Sequence, residues 1–386
     1  MKGAAYIHDY AAVCALGGTT AAVRDGLFAP EPARVCGSAE IIGGRQVPTG
    51  ALPPGGLAPS DADSRCNRIA DHLLAELGPA IARQIDAAGA ARVAVVVGTS
   101  TSGVREGEAA MRARLHDGAW PKDFRYSVQE LGDTARHVAM RTGARGPVFG
   151  ISTACTSGAK SLASAARLIE AGLCDVAIAG GIDSLCALTL NGFAALDSLS
   201  ETIANPFSRN RRGINIGEGG ALFIVSDAPS GMRLAGFGES ADAYHISSPD
   251  PEGRGAEAAM RRALERSAFA ANDVGYLNLH GTATKLNDIM EAKAVSRVFG
   301  TDLPCSSTKP MTGHMLGAAG ACEAAFSIMA LERQALPAHL WDGERDDELP
   351  FIRLVDTRGE TAALRRAMSC SYAFGGNNIA LAFEAA

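Results

Sequence analysis

Cys155 stands in the stretch Gly150-Ile-Ser-Thr-Ala-Cys155-Thr-Ser-Gly-Ala-Lys160, between a short apolar run and an alanine-rich segment with helical spacing. A thiol at the end of a strand and the head of a helix meets free backbone N–H groups and the positive helix end, both of which favour a thiolate. The same N–H groups can hold an oxyanion. On position alone an inert buried thiol is an equal reading. His280 ends an apolar run at a glycine, in Asn278-Leu-His280-Gly-Thr-Ala-Thr-Lys-Leu-Asn-Asp288. Loops that follow strand ends in α/β folds collect catalytic groups. Lys309 and His314 lie five residues apart in Ser306-Ser-Thr-Lys309-Pro-Met-Thr-Gly-His314, and almost all their neighbours are small or apolar, which is odd for a solvated loop. One thiol, two imidazoles and one ammonium suit thioester chemistry. The thiolate attacks an acyl thioester and keeps the acyl group. Two neutral imidazoles donate to a second thioester carbonyl and stabilise an enolate.

These groups need rigid strand ends to hold them. The apolar runs predict buried strands at Ala94–Val97, Pro147–Ile151, Asp175–Ala179 and Gly219–Val225. A helix over Thr156–Ala171 presents Ala159, Leu162, Ala163, Ala166 and Ile169 on one face. Strand, helix and strand at this spacing make a right-handed βαβ unit. The C-terminal part repeats the style. Strands are expected at Arg233–Gly238, Tyr276–Leu279, Cys305–Ser307, Ser369–Ala373 and Ile379–Phe383, and helices at Ala256–Phe269, Leu286–Phe299 and Gly317–Arg333. The natural cut is the Pro/Ser/Gly turn at Asp227–Met232, giving halves 1–230 and 231–386 and suggesting a duplication. Residues 1–92 yield only a Pro/Gly-rich loop from Pro48 to Pro59 and a helix near Asn67–Ala87.

Composition narrows the partners. A net charge of −6 gives no global reason to bind nucleic acid or an anionic membrane. No apolar run is long enough for a membrane span, and the N-terminus lacks a secretory pattern. Nine scattered cysteines without a C-x-x-C pair argue against structural zinc and for reduced thiols in a cytoplasmic protein, and no metal is expected. Phosphate-loop, dinucleotide and G-x-S-x-G signatures are absent from the sequence.

The three segments, with Ala373-Phe-Gly-Gly-Asn-Asn378, closely resemble the β-ketoacyl-acyl-carrier-protein synthase family. Asp175–Asp183, Asn191–Leu199, Asn205–Arg211, Asn215–Ala221 and Glu239–Gly253 match it too, so the likeness runs from about residue 93 to the end. The resemblance implies a thiolase-like duplicated α/β fold of five layers, αβαβα. It casts Cys155 as the acylated nucleophile and His280 and His314 as the pair that promotes decarboxylation. Lys309 matches a site-ordering lysine, Glu323 its acidic partner, and Thr282 and Thr284 contacts to phosphopantetheine. Phe374 matches a gating residue whose backbone N–H, with that of Cys155, forms the oxyanion hole; His245 is expected to line the pocket.

The implied reaction is acyl transfer to the thiol followed by decarboxylative condensation with a malonyl thioester, with no cofactor beyond the phosphopantetheine of an acyl carrier protein. The implied assembly is a homodimer, or a heterodimer with a related subunit. A catalytically silent chain-length partner and a CoA-dependent thiolase are the competing readings; such partners usually lack the nucleophile, which Cys155 supplies. The stretch NPFSRNRRGINIGEG suggests a secondary pathway making aryl polyene or other polyketide-like chains, and Lys285 stands where the family often has proline. An acidic carrier needs local positive charge. Arg65 and Arg68, one turn apart at a helix head, are the candidate patch, and Arg209, Arg211 and Arg212 cluster in a polar loop.

Overall fold

Val93–Gly98 and Val176–Asp183 are buried at every residue, as expected of parallel strands covered on both faces. They form the centre of the first half of the protein, whose computed structural model describes residues 5–386. That half runs β1 (Ala5–Val13), α1 (Thr20–Leu27), β2 (Gly37–Ile41), β3 (Arg45–Thr49), α2 (Arg65–Ala88), β4 (Val93–Gly98), α3 (Val104–Asp117), α4 (Asp133–Thr142), β5 (Val148–Ile151), α5 (Ser157–Glu170), β6 (Val176–Asp183), α6 (Ala187–Ala195) and β7 (Gly219–Ser226). The second runs β8 (Met232–Ala241), α7 (Arg254–Ser267), β9 (Tyr276–Asn278), α8 (Lys285–Phe299), β10 (Pro304–Ser306), α9 (Lys309–Thr312), α10 (Ala319–Arg333), β11 (Ala335–Leu336), β12 (Arg353–Leu354), β13 (Glu360–Thr361), β14 (Arg366–Ala373) and β15 (Asn377–Ala385).

The strand order exposes an internal repeat. The first half reads β5-β4-β6-β7-β1 and the second β10-β9-β14-β15-β8, which is the same order of corresponding strands. The directions also correspond: three parallel strands lead into an antiparallel pair in each half. A short pairing of Ala5–Ile7 with Met232–Leu234 joins the two sheets into one of eleven strands, with β12 added at one edge.

The repeat makes five layers. Helices α2 and α4 cover the outer face of the first sheet, and α7, with α8 beside it, covers the outer face of the second. Helices α5 and α10 fill the middle. Every residue of Ala319–Leu331 is buried, so α10 is covered on all sides, and all but Glu323 and Ser327 of that stretch are apolar or small, as befits a helix between two sheets. Alanines on α5 let it approach closely. A 3₁₀ turn at Leu316–Ala318 precedes α10, so the helix expected from Gly317 begins at Ala319. The β2–β3 hairpin, α1, α3, α4 and α6 were not foreseen in the sequence.

Candidate active site

The nucleophile turn is built by β5 and α5. Between them Ala154 takes a left-handed φ of 52°, which bends the chain sharply. Small hydroxyls hold the bend: Ser157 Oγ donates to the Ala154 carbonyl at 2.6 Å and accepts from the Thr153 N–H at 2.9 Å, and Thr156 Oγ1 donates to the Thr153 carbonyl at 2.7 Å. Cys155 is therefore presented just ahead of the first turn of α5. Its Sγ lies 2.9 Å from His314 Nε2. The rings of His280 and His314 meet edge to face at 5.2 Å, and donor atoms of the three residues lie within 4.8 Å of one another.

Burial decides their charge. It lowers both imidazoles well below the ordinary 6.5, and the Lys309 ammonium adds to the shift; for His280 so does His314. Both rings are held neutral, each with one N–H and one lone pair. Burial also pushes the Cys155 thiol up to about 12, outweighing the pull of Lys309. The resting group is thus a thiol beside a neutral imidazole, not the free thiolate that its helix-head position alone suggests.

Lys309 Nζ lies 2.5 Å from Glu323 Oε1, both side chains being almost wholly buried, and it also donates to the His280 carbonyl. The ion pair thereby ties α9 to α10 and to the turn after β9. The sequence reading missed a second clamp on that turn. Glu291, on α8, is fully buried and accepts the backbone N–H groups of His280 and Gly281, both at 2.7 Å. Burial pushes its carboxyl up to about 8. A glutamate in a mixed helical stretch reads as solvated, so only the fold identifies it.

His314 has its own support, and the unread N-terminal region supplies part of it. The His314 N–H donates to the Asn215 carbonyl at 2.7 Å, and the Gly217 N–H donates to the His314 carbonyl at 2.9 Å. Next to them the Gly50 N–H donates to the Ile216 carbonyl and the Gly50 carbonyl accepts from the Glu218 N–H. A Cβ on Gly50 would lie 1.9 Å from the Thr312 carbonyl oxygen, so no larger residue fits without moving the turn that carries His314.

A cavity of about 320 Å³ leads to the thiol; Cys155, His280, His314, Thr282, Thr284 and Phe374 are among its lining. Thr282 and Thr284 Oγ1 lie 2.9 Å apart. The Phe374 ring packs against Phe193 at 5.5 Å. Gly375 and Gly376 both have left-handed φ, 78° and 72°, which only glycine adopts freely. Lys160 Nζ donates to Asn377 Oδ1 at 2.9 Å, fastening the strand that leaves this loop. Tyr372, unnoticed in the sequence, stands edge to face with His280 at 5.9 Å.

Two expectations need correction. His245 is exposed and outside the cavity lining, because its loop turns the ring to solvent; Asp242, Ser247 and Pro249 from the same segment line it instead. Arg65 does not pair with Arg68 as a surface patch. Its guanidinium turns inward to Glu218 at 2.6 Å, since that buried carboxylate needs a cation, while Arg68 stays exposed. Positive charge at the cavity mouth comes from Arg212 and Lys285. Both are exposed and line the cavity, and neither side chain is ion-paired among the described residues. Arg211 is buried and pairs with Asp346 at 2.5 Å. No helix among the described residues is long and apolar enough to cross a membrane.

The family model for the N-terminal domain of β-ketoacyl synthases matches residues 70–229, and that for the C-terminal domain matches residues 232–341. The mitochondrial 3-oxoacyl-acyl-carrier-protein synthase of Arabidopsis thaliana is 39% identical over 269 residues, covering 64% of this chain and 58% of that protein. Nodulation protein E of Rhizobium meliloti (strain 1021) is 36% identical over 310 residues, 76% of each chain. A solved structure described as a ketosynthase, ApeO, in complex with its chain length factor, ApeC, from Xenorhabdus doucetiae superposes with a TM-score of 0.95 at 39% identity, covering 99% of this chain and 98% of the other.

Proposed function

This protein belongs to the β-ketoacyl synthase family, and from that membership we propose that it is an acyltransferase that lengthens acyl chains by decarboxylative Claisen condensation. The observation that carries the reading is the placement of Cys155 Sγ 2.9 Å from His314 Nε2 with His280 alongside, at the end of an open cavity.

In the first half-reaction the Cys155 sulfur adds to the carbonyl of an acyl thioester on a carrier. The oxyanion is received by the backbone N–H groups of Cys155 and Phe374. The carrier thiol leaves with the proton from Cys155, and the acyl group stays on sulfur. In the second, a malonyl thioester occupies the same cavity, with Thr282 and Thr284 holding its pantetheine arm. His280 and His314 donate N–H groups to its thioester carbonyl as carbon dioxide departs, and the enolate attacks the acyl carbon. The Cys155 thiolate that is expelled takes a proton from solvent, and the carrier departs with a chain two carbons longer. Lys309 and Glu323 fix the imidazoles without touching substrate. With one proton taken up from solvent the balance closes, and no resident cofactor enters it.

The carrier docks at the mouth beside Arg212 and Lys285, which face the phosphate and acidic surface of the arm's bearer. Phe374 gates the thiol. The chain acts in the cytoplasm as a homodimer or beside a related ketosynthase-like subunit; the likeness to a chain from a ketosynthase–chain length factor complex favours the second arrangement. Retention of Cys155 assigns it the catalytic half of such a pair. Its products belong to the polyketide-like class, aryl polyenes included, as NPFSRNRRGINIGEG suggests.

The test is intact-protein mass spectrometry after incubation with carriers bearing acyl groups of different lengths. The expected result is one acyl adduct per chain, located on Cys155 and lost in Cys155→Ala. An adduct that survives in that variant sinks the assignment.

A further inference from the structure

The donor atoms of Cys155, His280 and His314 are a sulfur and two nitrogens within 4.8 Å of one another. A tetrahedral zinc ion, with bonds of about 2.3 Å to sulfur and about 2.0 Å to nitrogen, separates its donors by about 3.5 Å. The Sγ–Nε2 distance of 2.9 Å has to open slightly, and the wider separations, none above 4.8 Å, have to close by side-chain rotation to admit the ion. The cavity of about 320 Å³ connects this cluster to solvent and leaves a fourth position for water or an anion. Thiolate with two imidazoles is a donor set that soft and borderline cations prefer.

We propose that this cluster is also a reversible inhibitory site for a thiophilic divalent cation, Zn²⁺ being the physiological candidate. The ion binds the Cys155 sulfur and one nitrogen of each histidine; the S–H bond breaks and its proton passes to solvent. The sulfur lone pair that attacks the acyl thioester is then engaged, so loading stops. Two features make the hold weak enough to be reversible. The Nδ1 atoms of His280 and His314 are buried without a hydrogen-bond partner among the described residues. Dedicated metal sites usually anchor the second ring nitrogen. Lys309 adds a positive charge nearby, offset by Glu323 at 2.5 Å. The binding stands on geometry alone; only the inhibition rests on the condensing-enzyme reading.

Co²⁺ is the probe, added to the intact protein in buffer free of thiols and chelators. One equivalent should produce a thiolate-to-cobalt absorption band in the near ultraviolet, displaced by Zn²⁺ and erased by EDTA. The band should vanish in Cys155→Ala and after alkylation of Cys155 in the unmutated protein, and should persist in Cys36→Ser, which removes the exposed thiol. Zn²⁺ should abolish acyl loading at the same stoichiometry, and EDTA should restore it. A missing band, or one that follows Cys36, overturns the site whether or not the protein condenses acyl chains. A band without any loading activity to inhibit leaves the site standing and defeats the proposed function instead.

Discussion

The 2.9 Å approach of His314 to Cys155 and the neutrality of both imidazoles divide the labour within the site. Cys155→Ala should abolish acyl loading while malonyl decarboxylation continues, since the latter needs the histidines and not the thiol. His280→Ala and His314→Ala should each slow decarboxylation on the order of a hundredfold or more, the usual cost of one lost donor to a developing oxyanion. Single-turnover assays of the two half-reactions separate these effects. Burial also sets the pH response. Both folded-state imidazole pKa values lie below the ordinary 6.5. Decarboxylation should therefore stay level as pH falls through 6.5 and decline only at more acid values; a midpoint at 6.5 would show solvated rings. The sign for stability follows, because the unfolded chain takes up those protons first, so both groups' contribution shrinks as pH drops below 6.5. Lys309→Met strands the Glu323 carboxylate and should cost about 3–5 kcal/mol, whereas Lys309→Met with Glu323→Leu should cost less. Thermal melts of the single and double variants compare them. Cys155, His280, Lys309 and His314 were legible because each sits in a short motif beside an apolar run. Glu291 and Tyr372 were not, because their partners are backbone or ring contacts that only folding creates.

Elements carry the precision. The turn at 309–314 is wedged between Gly50 and the segment 215–217, so Gly50→Ala should displace His314 although it touches no substrate. The expected signature is a drop in decarboxylation kcat with KM nearly unchanged, and slower alkylation of Cys155 by iodoacetamide. A variant that merely loses stability would keep both at low temperature. The Phe374 loop permits a structural test. Its two left-handed glycines allow a wide swing, so structures with and without an acyl group on Cys155 should differ in the Phe374 rotamer and loop path; identical paths would leave Phe374 an ordinary packing residue. The strands of the middle were readable because uniform burial makes uniform apolar runs, as in β4 and β6. The first 50 residues were not, since the β2–β3 hairpin alternates exposed and buried positions and borrows its partners from distant segments. Helix α3 escaped for a related reason, burying little more than Gly107 and Ala110.

For the molecule as a whole, repetition explains the site: corresponding strand ends of the two halves meet there, β5 delivering the thiol and β9 and β10 the segments that carry the imidazoles. Charge is local against a net −6. Arg212→Glu with Lys285→Glu should weaken carrier binding and flatten its salt dependence, read by affinity at two ionic strengths; unchanged binding at low salt would place the dock elsewhere. Strand β5 links the sheet's rim to the site. It is one of the two edge strands of the eleven, pairs on one side with β4, and shows Phe149 at 37% exposure. An unpaired strand edge is a template for another chain, and this one runs directly into the bend that holds Cys155. A subunit that zipped along it would stiffen the nucleophile's own foundation and couple assembly to reactivity. If the proposed dimer forms along this edge, specific activity should fall on dilution and recover on concentration, in step with the assembly state seen by sedimentation.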